Sequence, residues 1–166
     1  DFVLFDGMEA FLCGGDDDGS HDRHEDYKPR VSSEFYHNFV ASLPLIKRNI
    51  EPLLAPDQPP RKLFITGHSM GAGVATLAAC YFLLEFDWVL LPHSLVMVTA
   101  GSPRSCCWSM KDRIDECRLQ LGDSVRLYRV VKGDDALVTL PPSALGFVHI
   151  VPKIFIDDEG TIAQED

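Results

Sequence analysis

The chain has 166 residues, 46% of them hydrophobic and 24% charged, which suits one globular domain with a core of its own. A formal net charge of −10 argues against nucleic acid or an anionic membrane as the main partner and leaves room only for a local basic patch. The longest apolar run, residues 81–91, contains Glu85 and Asp87 and is too short and too charged to span a bilayer.

The cysteines and the first residues bear on location. Five cysteines form an odd set without zinc-binding spacing: Cys13, Cys80, Cys106, Cys107 and Cys117. They slightly favour a reducing, intracellular location, with membrane association of a longer parent left open. The chain begins at Asp1 without a basic leader, so its start is interpreted as internal to a longer protein. The oligomeric state is left undetermined.

The first 30 residues give two predictions. Residues 1–12 are apolar and predict a short strand or the start of a helix. Residues 14–29 are polar, acidic and glycine-rich, which predicts a mobile surface loop. Aspartates and histidines of this loop could bind a cation, but no ligand spacing is recognisable, so a solvated loop is the preferred interpretation.

Apolar residues then recur at steps of three and four from residue 32 to residue 54, which predicts an amphipathic helix. Ser32 or Ser33 is its predicted N-cap, and Pro44 is expected to kink or split it. Downstream, strands and helices alternate. The predicted elements are a buried strand at 62–66, a helix at 70–86, a buried strand at 95–100, a helix at 105–121, and strands at 124–131 and 153–156.

This alternation predicts a mostly parallel sheet flanked by helices, within a single domain over residues 1–166 that ends in a polar tail at 157–166.

The most informative segment is Leu63-Phe-Ile-Thr-Gly-His-Ser-Met-Gly-Ala-Gly73, a strand that runs into a helix through G-x-S-x-G. That pattern is typical of a nucleophile elbow with Ser69 at its apex. A glycine–serine turn without chemistry is the alternative.

Each residue of the elbow has an expected task. Side chains at Gly67 and Gly71 would collide with the strand or the helix in so tight a turn. Ser69 is placed at a helix N-terminus, where the dipole and free N–H groups favour an oxyanion. The backbone N–H of Met70 is the expected oxyanion donor, so the segment predicts half of an oxyanion hole.

An acid and a base are expected in that order after the serine, as in other α/β-hydrolases. Asp134 and Asp135 follow the strand predicted at 124–131, where ligand sites collect in open α/β sheets. His149 is the last histidine of the chain and comes next. A turn built with Gly133 is the alternative for the aspartates, and a core histidine between two apolar residues is the alternative for His149.

Two other histidines compete for the role of base. His68 adjoins Ser69 but is expected to point away from it across the turn. His93 precedes the acid and therefore has the wrong order along the chain. The expected order of the catalytic groups is thus Ser69, Asp135 and His149.

Four blocks together resemble class 3, fungal-type lipases, over roughly residues 30–156. They are Ile65-Thr-Gly-His-Ser-Met-Gly-Ala-Gly73, Thr99-Ala-Gly-Ser-Pro-Arg104, Tyr128-Arg-Val-Val-Lys-Gly-Asp-Asp-Ala-Leu-Val-Thr-Leu-Pro-Pro142 and Gly146-Phe-Val-His149. The resemblance implies an α/β-hydrolase fold, here with its N-terminal strands missing. It also implies hydrolysis of acylglycerols or related lipid esters without a metal or an organic cofactor.

By position, the resemblance implies that Ser69 is the nucleophile, His149 the general base and Asp135 the acid, with Asp134 as the fallback acid. The block that ends at Arg104 is implied to be structural. Three departures stand against a complete site. Lys132 replaces an asparagine of the acid block, and Ser32 and Glu34 replace the histidine and glycine of a weaker block at residues 30–36.

The third departure is the absence of the Phe-Arg-Gly-Thr/Ser strand that supplies the family's second oxyanion donor, which is expected upstream of residue 1. Weak or absent activity is therefore expected of this chain alone.

Residues 2–11 and 82–91 are candidates for an acyl groove or lid, although helix core is preferred for the second. The alternatives to a lipid esterase are an esterase or thioesterase with soluble substrates, and a catalytically impaired lipase-like binding module.

Overall fold

The computed structural model describes residues 30–86, 88 and 93–165, together with the backbone of residues 2–4. Within this part, Phe2–Leu4 is a strand, as one of the two predictions for the first segment has it. The predicted acidic loop at 14–29 lies outside the described residues, as does most of the first lid candidate.

Seven strands and three α-helices are described. The strands are β1 (Phe2–Leu4), β2 (Arg30–Ser32), β3 (Lys62–His68), β4 (Ser94–Ala100), β5 (Val125–Lys132), β6 (Lys153–Ile156) and β7 (Ile162–Glu165). The helices are α1 (Ser33–Asn49), α2 (Met70–Glu85) and α3 (Trp108–Leu121). Short 3₁₀ segments lie at Glu51–Leu54, Gly122–Ser124, Ala136–Thr139 and Ser143–Leu145.

A five-stranded sheet organises the domain, in the order β3-β4-β5-β6-β7. The first four strands are parallel and β7 is antiparallel to β6. Strands β1 and β2 form a separate antiparallel pair. Because the parallel strands share a direction, the carboxyl ends of β3, β4 and β5 lie at one edge, where ligands bind in open α/β folds. The mostly parallel sheet is as predicted.

The core lies between one face of the sheet and the helices. It contains Phe39 of α1, Leu77 of α2 and Ile114 of α3, packed with Leu95 and Leu127 from the central strands. α2 is apolar on all sides, as expected of a helix that contacts the sheet and both other helices. Burial of this apolar surface is the main stabilisation of the domain.

The second lid candidate is mostly core where it is described, with Glu85 exposed. Phe82 is 3% exposed within α2, and the Trp88 indole Nε1–H donates to the Phe82 carbonyl at 2.6 Å. This agrees with the preferred interpretation of helix core. Within the described residues, no helix combines the length and apolarity that crossing a membrane requires.

The helix predicted over 32–54 is shorter than expected. It begins at Ser33 and ends at Asn49, and a 3₁₀ turn that contains a proline follows. Ser32 is at the N-cap position as predicted, but its side chain makes no capping hydrogen bond. Pro44 neither ends nor splits the helix, because the exposed flank of α1 tolerates the lost N–H.

Two other predictions are wrong in part. The strand predicted as buried at 62–66 is only half-buried, since alternate side chains point away from the helices and Phe64 is 60% exposed. The polar tail predicted at 157–166 contains strand β7. A tight turn makes this hairpin: the Asp157 carboxylate accepts the N–H groups of Glu159 and Thr161, and Gly160 adopts a φ of +85°.

Candidate active site

The elbow is the strained point of the described backbone. Ser69 lies between the end of β3 and the start of α2 with φ 55° and ψ −130°, and among the described residues it is the one non-glycine residue with positive φ. Its N–H donates to the Ala100 carbonyl at 3.0 Å, which ties the turn to the end of β4. Backbone strain of this kind collects at functional sites because the surrounding structure must hold it.

The two glycines of the elbow differ in their surroundings. A Cβ on Gly67 would lie 2.3 Å from the Gly71 carbonyl oxygen and 2.9 Å from the Ala72 Cα, so no side chain fits there. The expectation of a collision at Gly71 is wrong, because a Cβ there meets no described atom within 4 Å. The backbone of Gly71 approaches position 67, but its own missing side chain points into open space.

Helix α2 begins directly after the serine. Met70 is its first residue, and the Ala72 N–H donates to the Ser69 carbonyl at 2.9 Å, which starts the helical ladder. The first N–H groups of a helix have no acceptor within it, and they carry the positive end of its dipole. The Met70 N–H therefore has the position that the predicted oxyanion role requires. That role stays a prediction.

The acid loop follows β5 and continues through Ala136–Thr139. Asp135 begins this 3₁₀ turn, and its Oδ1 accepts the Leu137 N–H at 3.0 Å. Its Oδ2 lies 3.0 Å from the point that a Cβ on Gly101 would occupy, directly beyond the end of β4. Asp134 is exposed and makes no such contact. Of the two candidate acids, Asp135 is the one whose carboxylate reaches the edge of the sheet formed by the carboxyl ends of its parallel strands.

Arg104 holds this loop in place. Its backbone N–H donates to the Leu140 carbonyl at 2.7 Å, and its guanidinium Nη1 donates to the carbonyls of Thr139 and Pro141, the latter at 3.0 Å. Three consecutive carbonyls thus end on one arginine that follows β4. The block around Arg104 was expected to be structural, and its contacts are of that kind.

His149 is not joined to either of its expected partners. Its Nε2 lies 2.8 Å from the Val138 carbonyl oxygen. Because a carbonyl only accepts, Nε2 carries the proton in this arrangement. A triad base needs one ring nitrogen free to accept the serine proton and the other to donate to the acid. In the described structure no hydrogen bond links His149 with Ser69 or Asp135.

The surroundings of His149 keep it neutral. The flanking Val148 and Ile150 are buried, and the Val148 N–H donates to the Cys106 carbonyl at 2.8 Å. Desolvation by burial, followed by the positive charge of Arg129, lowers the pKa of the imidazole to about 4, against an ordinary value of 6.5. A base of so low a pKa is a weak proton acceptor at neutral pH.

The rival histidines lie at opposite ends of the sheet. His93 precedes β4 at its amino end, is 4% exposed and accepts the Arg61 N–H on Nδ1 at 3.1 Å, so it is a structural residue. His68 is exposed at the carboxyl end of β3, and its Nε2 lies 3.9 Å from the same Gly101 point that Asp135 approaches. Of these two, only His68 lies beside the acid.

The described residues include neither a disulfide nor a metal cluster. Cys80, Cys106, Cys107 and Cys117 are free. Over the same part of the chain, no group of three or more histidine, cysteine, aspartate or glutamate side chains could hold a metal ion. Cys80 is fully buried in the core.

A parallel sheet whose strand enters a helix through a strained serine defines an α/β-hydrolase. The chain belongs to the class 3 lipase family, whose model matches residues 10–145. The fold and the family are therefore those that the four sequence blocks predict.

Known proteins similar to the chain are lipases. A secreted mono- and diacylglycerol lipase from Fusarium solani is 34% identical over 102 residues, which are 60% of this chain and 26% of that protein. A mutant of MDLA from Penicillium cyclopium superposes with a TM-score of 0.65 at 22% identity, covering 100% of this chain and 53% of that one. A triacylglycerol lipase whose catalytic centre is a serine protease triad superposes with a TM-score of 0.64 at 21% identity, over 87% and 51%.

These matches cover only part of the known proteins. The chain spans about a quarter of the length of the Fusarium relative and about half of the two solved structures. The similarity of the structures, at this identity, concerns the fold.

Proposed function

We propose that the chain is the nucleophile-bearing part of a lipase that cleaves carboxylic esters of lipids, of the acylglycerol type. The observation that supports this most is the strained Ser69 at the end of β3, with the Asp135 carboxylate beyond the neighbouring strands. Membership of the class 3 lipase family and the acylglycerol lipases among the similar proteins support the substrate class.

The proposed reaction is acyl transfer to Ser69 and then to water. The Ser69 Oγ attacks the ester carbonyl, and its proton passes to a histidine that later protonates the leaving alcohol. Asp135 is the proposed acid that orients this histidine and stabilises its charged form. The Met70 N–H is the proposed donor to the oxyanion, and loss of one such donor costs roughly 10²–10³ in turnover in a serine hydrolase.

For the base, the order along the chain and the hydrogen bonds of the fold favour different interpretations. His149 has the right order along the chain, but it must break its 2.8 Å hydrogen bond to Val138 and change tautomer to act. His68 has its Nε2 3.9 Å from the Gly101 point that the Asp135 carboxylate also approaches, but it adjoins the serine in sequence. We retain His149 as the proposed base, and substitution of each histidine tests this choice.

Labelling with a fluorophosphonate probe tests the site directly. We expect the folded chain to label at Ser69, and expect Ser69→Ala to abolish labelling. Labelling of His149→Ala and His68→Ala is compared under the same conditions, with His37→Ala, at an exposed position of α1, as the control. A steep fall in His149→Ala alone supports it as the base. Unchanged labelling of His149→Ala would show that the proton goes elsewhere.

One observation favours a second candidate function, a catalytically impaired lipase-like module. The proton on the His149 Nε2 is held by a backbone carbonyl in the described state. A folded wild-type chain that fails to label would support this module. A version of the protein extended to the length of its relatives would then show whether added residues restore labelling.

The substrate class and the location need separate measurements. Relative rates on short-chain and long-chain acyl esters separate a lipase from an esterase or thioesterase for soluble substrates. A secreted relative gives no support to the intracellular location that the cysteines slightly favour. Fractionation of cells that produce the whole protein, into medium, cytosol and membranes, tests location and membrane association together.

A further inference from the structure

A cavity lies away from the elbow serine. It has a volume of about 470 Å³ and lies between α3, β5 and the segment that leads into β6. Its charged or ionisable lining residues are Lys111, Asp115, Arg118, Arg129, His149 and Lys153. The elbow serine and the proposed acid are not among the residues that line it.

The cavity reverses the charge balance of the chain. Four of its side chains are permanent cations and one is a carboxylate, a formal charge of +3 with His149 neutral, whereas the whole chain carries −10. The single carboxylate, Asp115, is shared between Lys111 and Arg118, the latter with Nη1 3.0 Å from Oδ1. This is the local basic patch that the composition leaves room for.

Burial makes the positive charge effective. Arg129 is 8% exposed, and Lys111 and Arg118 are only about one-third exposed. Charges removed from water interact more strongly with a counter-ion than surface charges do. The low pKa of His149 agrees with a positive potential here, since after desolvation its causes are the charges of Arg129, Arg104 and Lys153.

We propose that this cavity binds a phosphate-bearing anion, either a small soluble phosphomonoester or the headgroup of an anionic phospholipid. The two arginines offer the planar, forked donors that match phosphate oxygens, and the lysines add point charges around them. The volume exceeds that of a bare phosphate and leaves space for a small organic group. His149 lines this cavity and is also the proposed base, so anion binding is measured by affinity, separately from ester hydrolysis at Ser69.

The first experiment titrates the isotopically labelled chain with inorganic phosphate and with glycerol 3-phosphate at constant ionic strength, while NMR follows the His149 ring and the Lys153 amide. We expect saturable shifts. Arg129→Gln is expected to weaken binding about 10-fold or more, since it removes a charge-assisted donor. Lys153→Gln, which is less buried, is expected to weaken it by a smaller factor and covers the case in which the arginine variant fails to fold.

Arg126→Gln is the matched control, because it removes the same charge from the same strand at an exposed position paired with Asp123. Its affinity for phosphate is expected to change less than about twofold. Equal losses in the control and in the cavity variants would overturn the proposal as non-specific charge attraction. Unchanged affinity in both Arg129→Gln and Lys153→Gln would overturn it as well.

The second experiment identifies the source of the phosphate group. Sedimentation with phosphatidylcholine vesicles is compared with and without phosphatidic acid. Binding to the phosphatidic acid vesicles that Lys153→Gln reduces and Arg126→Gln does not supports a lipid headgroup. Saturable binding of glycerol 3-phosphate without vesicle binding supports a soluble phosphomonoester. Absence of both overturns the site, whatever the outcome of Ser69 labelling.

Discussion

The elbow and the acid loop meet at the same edge of the sheet, but they are held there by different means. Ser69 is fixed by backbone geometry, between a strand and a helix, with glycine where no side chain fits. The loop from Gly133 to His149 contains only two short 3₁₀ turns and depends on distant groups that donate to its carbonyls. The nucleophile side is thus a local structure, and the acid side is a tertiary one.

The largest effect is expected from a substitution that disrupts the elbow itself. Gly67→Ala places a Cβ 2.3 Å from the Gly71 carbonyl oxygen, so the strand and helix must separate. We expect a loss of about 3 kcal/mol or more in the free energy of unfolding, together with loss of Ser69 labelling. Chemical denaturation followed by circular dichroism measures the first quantity.

Gly71→Ala is the matched control for that substitution. Its Cβ meets no described atom, and alanine favours a helix, so we expect no loss of stability and a gain of up to about 1 kcal/mol. Equal destabilisation by the two substitutions would contradict the distinction drawn between the two glycines.

The next largest effect concerns the acid side and is a pH dependence. His149 has a folded pKa of about 4 and an unfolded pKa of about 6.5, so the unfolded chain binds a proton first as the pH falls. The contribution of the neutral His149 to the free energy of unfolding is therefore present in full above pH 6.5. It is lost progressively between about pH 6.5 and 4, by at most about 3 kcal/mol. Denaturation at a series of pH values measures this loss.

His149→Gln separates this histidine from the other titrating groups. Glutamine keeps an N–H donor for the Val138 carbonyl but does not titrate in this range. We expect the variant to lose less stability than the wild type between pH 6.5 and 4. The same pH profile in both proteins would show that His149 titrates normally in the fold.

A smaller effect is expected at Arg104, which joins the segment after β4 to the acid loop. Arg104→Met removes the guanidinium donors to Thr139 and Pro141, which we expect to cost about 2 kcal/mol and to slow Ser69 labelling by displacing Asp135. Arg126→Met, at an exposed ion pair, is expected to cost less than about 0.5 kcal/mol. Thermal unfolding compares the two, and equal costs would argue against a specific tie.

The same contrast explains what the sequence predicts well. Strand β3, the turn at Ser69 and helix α2 are encoded within 24 consecutive residues, and they were predicted to within two residues at each end. The preference for Asp135 over Asp134 rests on the resemblance to class 3 lipases, since both aspartates follow the same strand. The hydrogen bonds of Arg104 and His149 to the acid loop join residues 11 to 37 positions apart, and no local sequence pattern predicts such contacts.

Other misses have local physical reasons. The apolar segment around Phe64 predicts a strand that is buried on both faces, whereas Phe64 is exposed. Burial of the second face of a sheet depends on what covers that face, and the residues of the strand do not specify this. The motif predicts a collision of side chains at both Gly67 and Gly71, but the collision holds only for Gly67. The motif shows that both positions are glycine and does not show which of them faces the other's backbone.

The smallest expected effect concerns the hairpin that the sequence predicted as a tail. Backbone hydrogen bonds from the turn, above all from Thr161, lower the pKa of Asp157 from its ordinary value. The charged form supports the turn, so its contribution is present above pH 3.8 and is lost as the pH falls through the lower folded value. Asp157→Ala is expected to free the amides of Glu159 and Thr161 for hydrogen exchange, while those of β4 stay protected. Asp158→Ala, in the same turn, is the control, and faster exchange in β4 would show that the hairpin supports the whole sheet and is not a local structure like the elbow.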